Sequence, residues 1–193
     1  MMQRDLLEQQ LSRKELQNLR NKRTGLFIFQ LSWIMVFVCL VIVNWHLRFT
    51  SASWPPPGVE KLPVLLPTIA TILLLVSAFL AQRATQAIKE NHNDAFLTQW
   101  RVVIGLGIMF VVLMAFEWVT LPYSKTYSDV FRTMTGFHII HALAIGAFMI
   151  NIYQGARAGR YGQTNFWPVE GATSLWYFVV VAWILFYVVL YWI

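Results

Sequence analysis

The stretch WRVVIGLGIMFVVLMAFEWVTL, residues 100–121, decides the fold. Beyond Arg101 it carries a single ionisable side chain, Glu117, in an otherwise apolar run. At ~1.5 Å of rise per residue such a run makes ~30 Å of helix, the thickness of a hydrocarbon core. Four more runs of the same kind occupy residues 25–47, 62–81, 131–153 and 172–192. The chain therefore reads as an all-α transmembrane protein, a five-helix bundle. The loops hold only about 10 to 18 residues each, too few for a second folded unit. The expected organisation is a polar tail over residues 1–23 and one membrane domain over 24–193.

Composition agrees. Of 193 residues, 58% are hydrophobic and 12% charged, where a soluble domain carries about 25% charged. The net charge of +6 reports membrane orientation here, not a nucleic-acid partner. Arg4, Arg13, Lys14, Arg20, Lys22 and Arg23 crowd the N-terminal tail, Arg83, Lys89 and Arg101 the second connection, Arg157 and Arg160 the fourth. The opposite side holds Arg48, Lys61, Lys125 and Arg132. The positive-inside rule then puts the N-terminus in the cytoplasm and the C-terminus outside. Residues 1–23 lack the short apolar core of a cleaved leader and read as a cytoplasmic helix. Cys39, the one cysteine, is expected to pack as a small buried apolar group.

Along the chain, Trp54-Pro55-Pro56-Pro57-Gly58 makes a stiff external loop with Trp54 at the aqueous interface. In the second span, Ala70, Ser77 and Ala81 share a face and allow close helix approach. Gly105 and Gly107 lie inside the third span, so they read as packing positions and not as a nucleotide loop. Gly155, Gly159 and Gly162 are expected to loosen the fourth connection. Tyr191 and Trp192 are expected to anchor the last helix at headgroup level.

Polar groups at membrane depth are costly and therefore informative. Glu117 lies about one turn from the end of its span. His138 and His141, an i,i+3 pair, share one helix face. With the fourth span starting near residue 131, the depths of Glu117 and His138 overlap, which predicts a hydrogen bond between the third and fourth helices. Arg48 and Glu170 are boundary charges, and Glu170 at the start of the last helix suits the positive end of its dipole. The histidine pair could alternatively serve a metal, but no third strong ligand stands out. A b-type haem needs histidines on facing helices at similar depth. His46 is the other membrane-level candidate, and His92 lies in a loop. The candidate site residues are thus Glu117, His138, His141, Arg48, Glu170 and Trp54, read as structural or lipid-contacting.

These residues, taken in order, resemble subunit III of the haem-copper terminal oxidases, the cytochrome c and quinol oxidases. Trp54-Pro55-Pro56 resembles that family's Trp-Pro-Pro external loop, and Leu62-Pro63 its Leu-Pro-rich second segment. Glu117-Trp118 is similar to its Glu-Tyr pair. Thr135-Gly136-Phe137-His138 followed by His141 matches its Thr-Gly-Phe-His-x-x-His signature, the most specific of the set. Glu170, Trp176, Phe178, Val179 and Trp183 fit its closing aromatic helix. The chain departs where Trp33 follows Ser32 in place of a buried Glu. It departs again where Tyr177 and Val180 stand in place of a His and an Asp.

The resemblance implies a non-catalytic subunit of the short five-helix bacterial type, in the bacterial cytoplasmic (inner) membrane. It implies no haem or copper in this chain; the metals belong to subunit I and subunit II, its expected partners. It also implies phospholipid bound between helices, and support of oxygen reduction coupled to proton translocation in a hetero-oligomeric complex. Two other readings stand beside it: an accessory subunit of a nitric oxide reductase, and a small membrane b-type cytochrome liganded by its own histidines.

Overall fold

The computed structural model describes residues 12–59, 61–121 and 125–193. Among these the regular structure is helical throughout: α1 (Arg13–Thr50), α2 (Leu65–Lys89), α3 (Asn93–Thr120), α4 (Lys125–Arg157) and α5 (Trp167–Tyr187). Five helices are long and apolar enough to cross a membrane. Each overruns the apolar run that announced it, because polar residues continue a helix as readily as apolar ones once it is nucleated. The expected connection over residues 82–99 shrinks accordingly to the turn at 90–92. α5 gives way to a π-helical turn, Val188–Trp192.

By compactness the chain divides into residues 1–36 and 37–193. In the first unit, residues 1–11 of the expected N-terminal tail lie outside the described residues. α1 begins at a capping box: the Ser12 N–H donates to Glu15 Oε2 at 3.0 Å and the Glu15 N–H to Ser12 Oγ at 3.3 Å. The tail's residues 13–23 are therefore continuous with the first span.

In the second unit two helix ends are closed by paired backbone bonds. After α2, Asn91 takes a left-handed φ of 63°, which lets its N–H reach Ile88 O (3.3 Å) and the His92 N–H reach Ala87 O (2.8 Å). After α4, Gly159 does the same at φ 70°, with bonds to Ala156 O (2.9 Å) and from Arg160 to Gly155 O (3.0 Å). Of the three glycines expected to loosen this connection, Gly155 and Gly159 therefore have fixed tasks. A Cβ on Gly155 would sit 2.5 Å from the Tyr161 ring.

The α2–α5 interface sets the frame. Ala70, Ser77 and Ala81 are fully buried, as the small-residue face predicts. The two helices run antiparallel and are joined at successive levels. Thr68 meets the Tyr187 hydroxyl at 2.7 Å. The Trp183 indole donates to Thr71 Oγ1 at 2.8 Å, and the Trp176 indole to Ser77 Oγ at 2.9 Å. Thr85 meets Thr173 at 2.7 Å. Lys89 closes the series on Glu170 at 2.6 Å.

Proton counting fixes the directions. Thr68, Thr71, Ser77 and Thr85 each give their single hydroxyl proton to a carbonyl of their own helix. Each therefore accepts from α5, so Tyr187 and Thr173 are donors. In lipid, helices gain little from apolar contact with one another, and such bonds are worth about 0.6 kcal/mol each, up to ~1.7.

α3 is held to α4 by two indoles. Trp100 donates to Met149 O at 2.9 Å and Trp118 to Arg132 O at 3.0 Å. Gly107 meets α5: a Cβ there would lie 2.7 Å from Cη2 of Trp176, whose indole is fixed by Ser77. Gly105 meets nothing within 4 Å. The packing role expected of the pair thus falls to Gly107. Cys39 is exposed, against expectation. Phe37 and Asn44, one heptad apart, mark the buried face of α1, and Cys39 sits about 200° round the helix from Phe37.

Gly107→Ala should destabilise the chain in detergent by about 1–3 kcal/mol, because the Trp176 ring cannot yield without losing its bond to Ser77. In a Ser77→Ala background the ring is freed, and the Gly107→Ala penalty should shrink. Denaturation midpoints of the four proteins check this; strictly additive penalties would contradict it.

Candidate functional site

The histidine pair lies in the middle of an aromatic core. Four helices deliver rings to it: Phe37 from α1, Phe110 from α3, His138 and His141 from α4, Phe178, Trp183 and Phe186 from α5. His138 packs on Phe110 (centroids 5.4 Å), Trp183 (5.5 Å), Phe37 (5.9 Å) and Phe186 (6.1 Å). His141 packs on Phe178 (5.1 Å) and Phe37 (5.5 Å). Both histidines are fully buried. Neither ring nitrogen of His138 has a hydrogen-bond partner, so the imidazole serves there as an aromatic plate. It stands edge-on to Phe110 at 88° and lies tilted against Trp183 at 34°.

The hydrogen bond expected between Glu117 and His138 is not made. α4 starts at Lys125, one and a half turns before the expected residue 131. The bond from Trp118 to Arg132 O then sets Glu117 level with the first turns of α4. His138 lies six residues beyond Arg132, ~9 Å further along the helix. It is Phe110, two turns from Glu117, that reaches it.

Glu117 is paired instead with Tyr191, whose hydroxyl donates to Oε2 at 2.8 Å. Glu117 Oε1 is buried with no partner. The phenol reaches inward because the π-helical turn Val188–Trp192 rotates its side chains away from the direction that α-helical spacing predicts. Of the two rings expected at headgroup level, only Trp192 is largely exposed.

Trp54 packs on Tyr127 with centroids 5.1 Å apart, beside the buried cluster of Leu62, Tyr127 and Phe131. Arg48, in the last turn of α1, lines a small polar cleft with Trp54, Lys61, Tyr127 and Tyr191. Glu170 sits in the first turn of α5, as expected for a helix N-terminus, and also carries the ion pair to Lys89 at the opposite end of the membrane unit. The Lys89 ammonium also lies 4.9 Å from the Phe166 ring centre.

Sequence reasoning missed four groups. Asn44 is buried mid-α1. Trp100, Trp176 and Trp183 act as hydrogen-bond donors within the bundle. For the α5 indoles a signal existed: Trp176 and Trp183 recur at i,i+7, opposite hydroxyl-bearing Ser77 and Thr71 on α2.

Chemically, the arrangement offers helix-to-helix bonds and aromatic packing. Among the described residues, no three His, Cys, Asp or Glu side chains come together to hold a metal ion. His46 is exposed and His92 lies in the α2–α3 turn, so neither stands across from the α4 pair. A groove of about 290 Å3 opens between α3 and α4, lined by apolar residues including Gly107, Val111, Leu143, Gly146 and Trp176.

These features define a multi-pass helical membrane protein whose interior polar groups tie helices together. A sequence model of the family described as cytochrome c oxidase subunit III matches residues 4–193. The chain is 31% identical over 172 residues to cytochrome c oxidase subunit 3 of Thermostichus vulcanus, covering 86% of this chain and 85% of that one. It is 28% identical over 172 residues to the Synechocystis sp. protein of the same name (86% and 73% covered). The Drosophila melanogaster protein of that name is 28% identical over 179 residues (88% and 68% covered). The chain belongs to the cytochrome c oxidase subunit III family.

His138→Leu should cost less than about 1.5 kcal/mol, since no hydrogen bond is lost and the volume is nearly kept. Trp100→Phe, which removes the donor to Met149 O, should cost at least as much. Denaturation of the two variants in one detergent checks the order. A larger loss for His138→Leu would mean its nitrogens are bonded after all.

Proposed function

We propose that this chain packs against the haem- and copper-bearing catalytic subunit of a terminal oxidase and helps keep it assembled through turnover, without itself catalysing a step. Family membership makes it a structural subunit of a haem-copper oxidase. The further assignments are our reading: subunit I and subunit II as neighbours, the bacterial cytoplasmic membrane as the setting, and the N-terminus on the cytoplasmic side. So is the division into an aqueous lead-in, residues 1–23, and a membrane domain, 24–193. The observation that carries the reading is the family match along the whole membrane unit. It is supported by where polar side chains go. Ser77, Thr85, Thr173, Trp176 and Trp183 bond one helix to another, and a scaffold needs interior bonds of this kind.

Bound phospholipid is part of the same proposal. The α3–α4 groove is apolar, and Gly146, with nothing within 4 Å of where a Cβ would stand, leaves room there for one acyl tail. Arg48 and Trp54 are our headgroup-level contacts at the other end of the unit's surface. The cytochrome reading finds no support in the histidine positions, since His138 and His141 share one helix. The nitric oxide reductase reading is separated by the partner alone.

Affinity purification of the tagged chain in mild detergent, with mass spectrometry of proteins and lipids, tests this. A haem-copper oxidase catalytic subunit and phospholipid should co-purify, and Gly146→Leu should reduce the retained lipid. Recovery of the chain alone, or with a nitric oxide reductase core, would contradict the assignment.

A further inference from the structure

At the end of the membrane unit that carries Trp54, a phenol stands between a buried carboxyl and a water-sized cleft. The cleft has a volume of about 40 Å3 and is lined by Arg48, Trp54, Lys61, Tyr127 and Tyr191, among others. A space of ~10–15 Å3 already admits one water. Tyr191 belongs to both sides: it lines the cleft and its hydroxyl donates to Glu117 Oε2 at 2.8 Å.

Glu117 is 4% exposed and Oε1 has no hydrogen-bond partner. The charged groups around it are engaged elsewhere. From α4, Arg132 donates to Leu121 O at 3.1 Å and lies over the Trp118 ring. From α1 and the loop, Arg48 and Lys61 line the cleft beyond Tyr191. The other phenols nearby are Tyr187, bonded to Thr68, and Tyr127, under Trp54. Among the described residues no cation bonds the carboxyl. An ionised carboxylate would then rest on one hydroxyl donor in a low-dielectric interior, where a neutral acid is far better tolerated.

We propose that Glu117 is a proton-binding site: a neutral carboxylic acid with its proton on Oε1, exchanging that proton with cleft water through Tyr191. Release needs the carboxyl to turn its O–H toward the phenol oxygen. The acid proton passes to that oxygen as the phenol passes its own to a water, leaving a carboxylate and a hydronium ion. Reloading is the reverse. Only O–H bonds form and break, and no oxidant or reductant enters.

Infrared spectra of the full chain in its complex, in lipid at neutral pH, test this. The wild type should show the carbonyl stretch of a protonated carboxyl that is missing in Glu117→Gln. Tyr191→Phe should keep the band but move it to higher frequency, since the hydrogen bond to the carbonyl oxygen is lost. On transfer to D2O the band should shift, and several-fold more slowly in Tyr191→Phe. Identical carboxyl regions in wild type and Glu117→Gln would show Glu117 ionised and overturn the proposal. Should Glu117→Gln fail to assemble, an unmoved spectrum in Tyr191→Phe overturns it equally. Equal exchange rates in wild type and Tyr191→Phe would overturn the route through the phenol.

Discussion

In a hydrocarbon solvent a polar side chain cannot fall back on water, and this constraint orders the interior of residues 37–193. The α2–α5 seam is its clearest product. Hydroxyls on α2 give their protons to their own backbone and so face α5 as pure acceptors. α5 answers with groups that can donate: two indoles, a phenol, a threonine. From Thr68 to Thr85 α2 is the acceptor edge and α5 the donor edge, Lys89 on Glu170 alone reversing the sense, and the match works only at one antiparallel register. A shift of α5 by a single residue would carry Trp176 and Trp183 about 100° away from Ser77 and Thr71. The bonds are weak singly, but together they choose among packings that apolar contact leaves nearly equal.

The remaining helices build on that pair. α3 enters where Gly107 lets it approach the fixed Trp176 ring. α4 is tied to α3 by the indoles of Trp100 and Trp118, near the two ends of α3. The aromatic core around His138 and His141 fills the space between. Most of its rings meet edge to face, the geometry their quadrupoles favour. Within that core the histidine pair is packed against aromatic rings. His138 shows it most plainly, with four ring neighbours and no hydrogen bond.

Much of this was legible in the sequence. The apolar runs gave the number of helices, and the small face of α2 was read correctly from Ala70, Ser77 and Ala81. What was not legible depended on where helices begin and on local departures from α-helical spacing. α4 starts six residues early, because Lys125, Thr126, Tyr127 and Ser128 can be helical as well as loop. With Trp118 bonded to Arg132 O, the register of α3 against α4 then leaves His138 about 9 Å beyond Glu117. The π-helical turn after Tyr187 leaves no compositional mark, yet it turns Tyr191 onto Glu117. The Lys89–Glu170 pair joins residues far apart in the chain, and the closeness of α2 to α5 brings them together.

The account makes this chain a scaffold whose helices are joined by interior hydrogen bonds and whose histidines hold no redox centre. An optical absorption spectrum of the chain produced apart from any partner subunit tests that claim most directly. The account predicts the ultraviolet absorption of its tryptophans and tyrosines and no Soret band. A Soret band that disappears in His138→Ala would place a redox centre on the chain's own side chains and contradict the account.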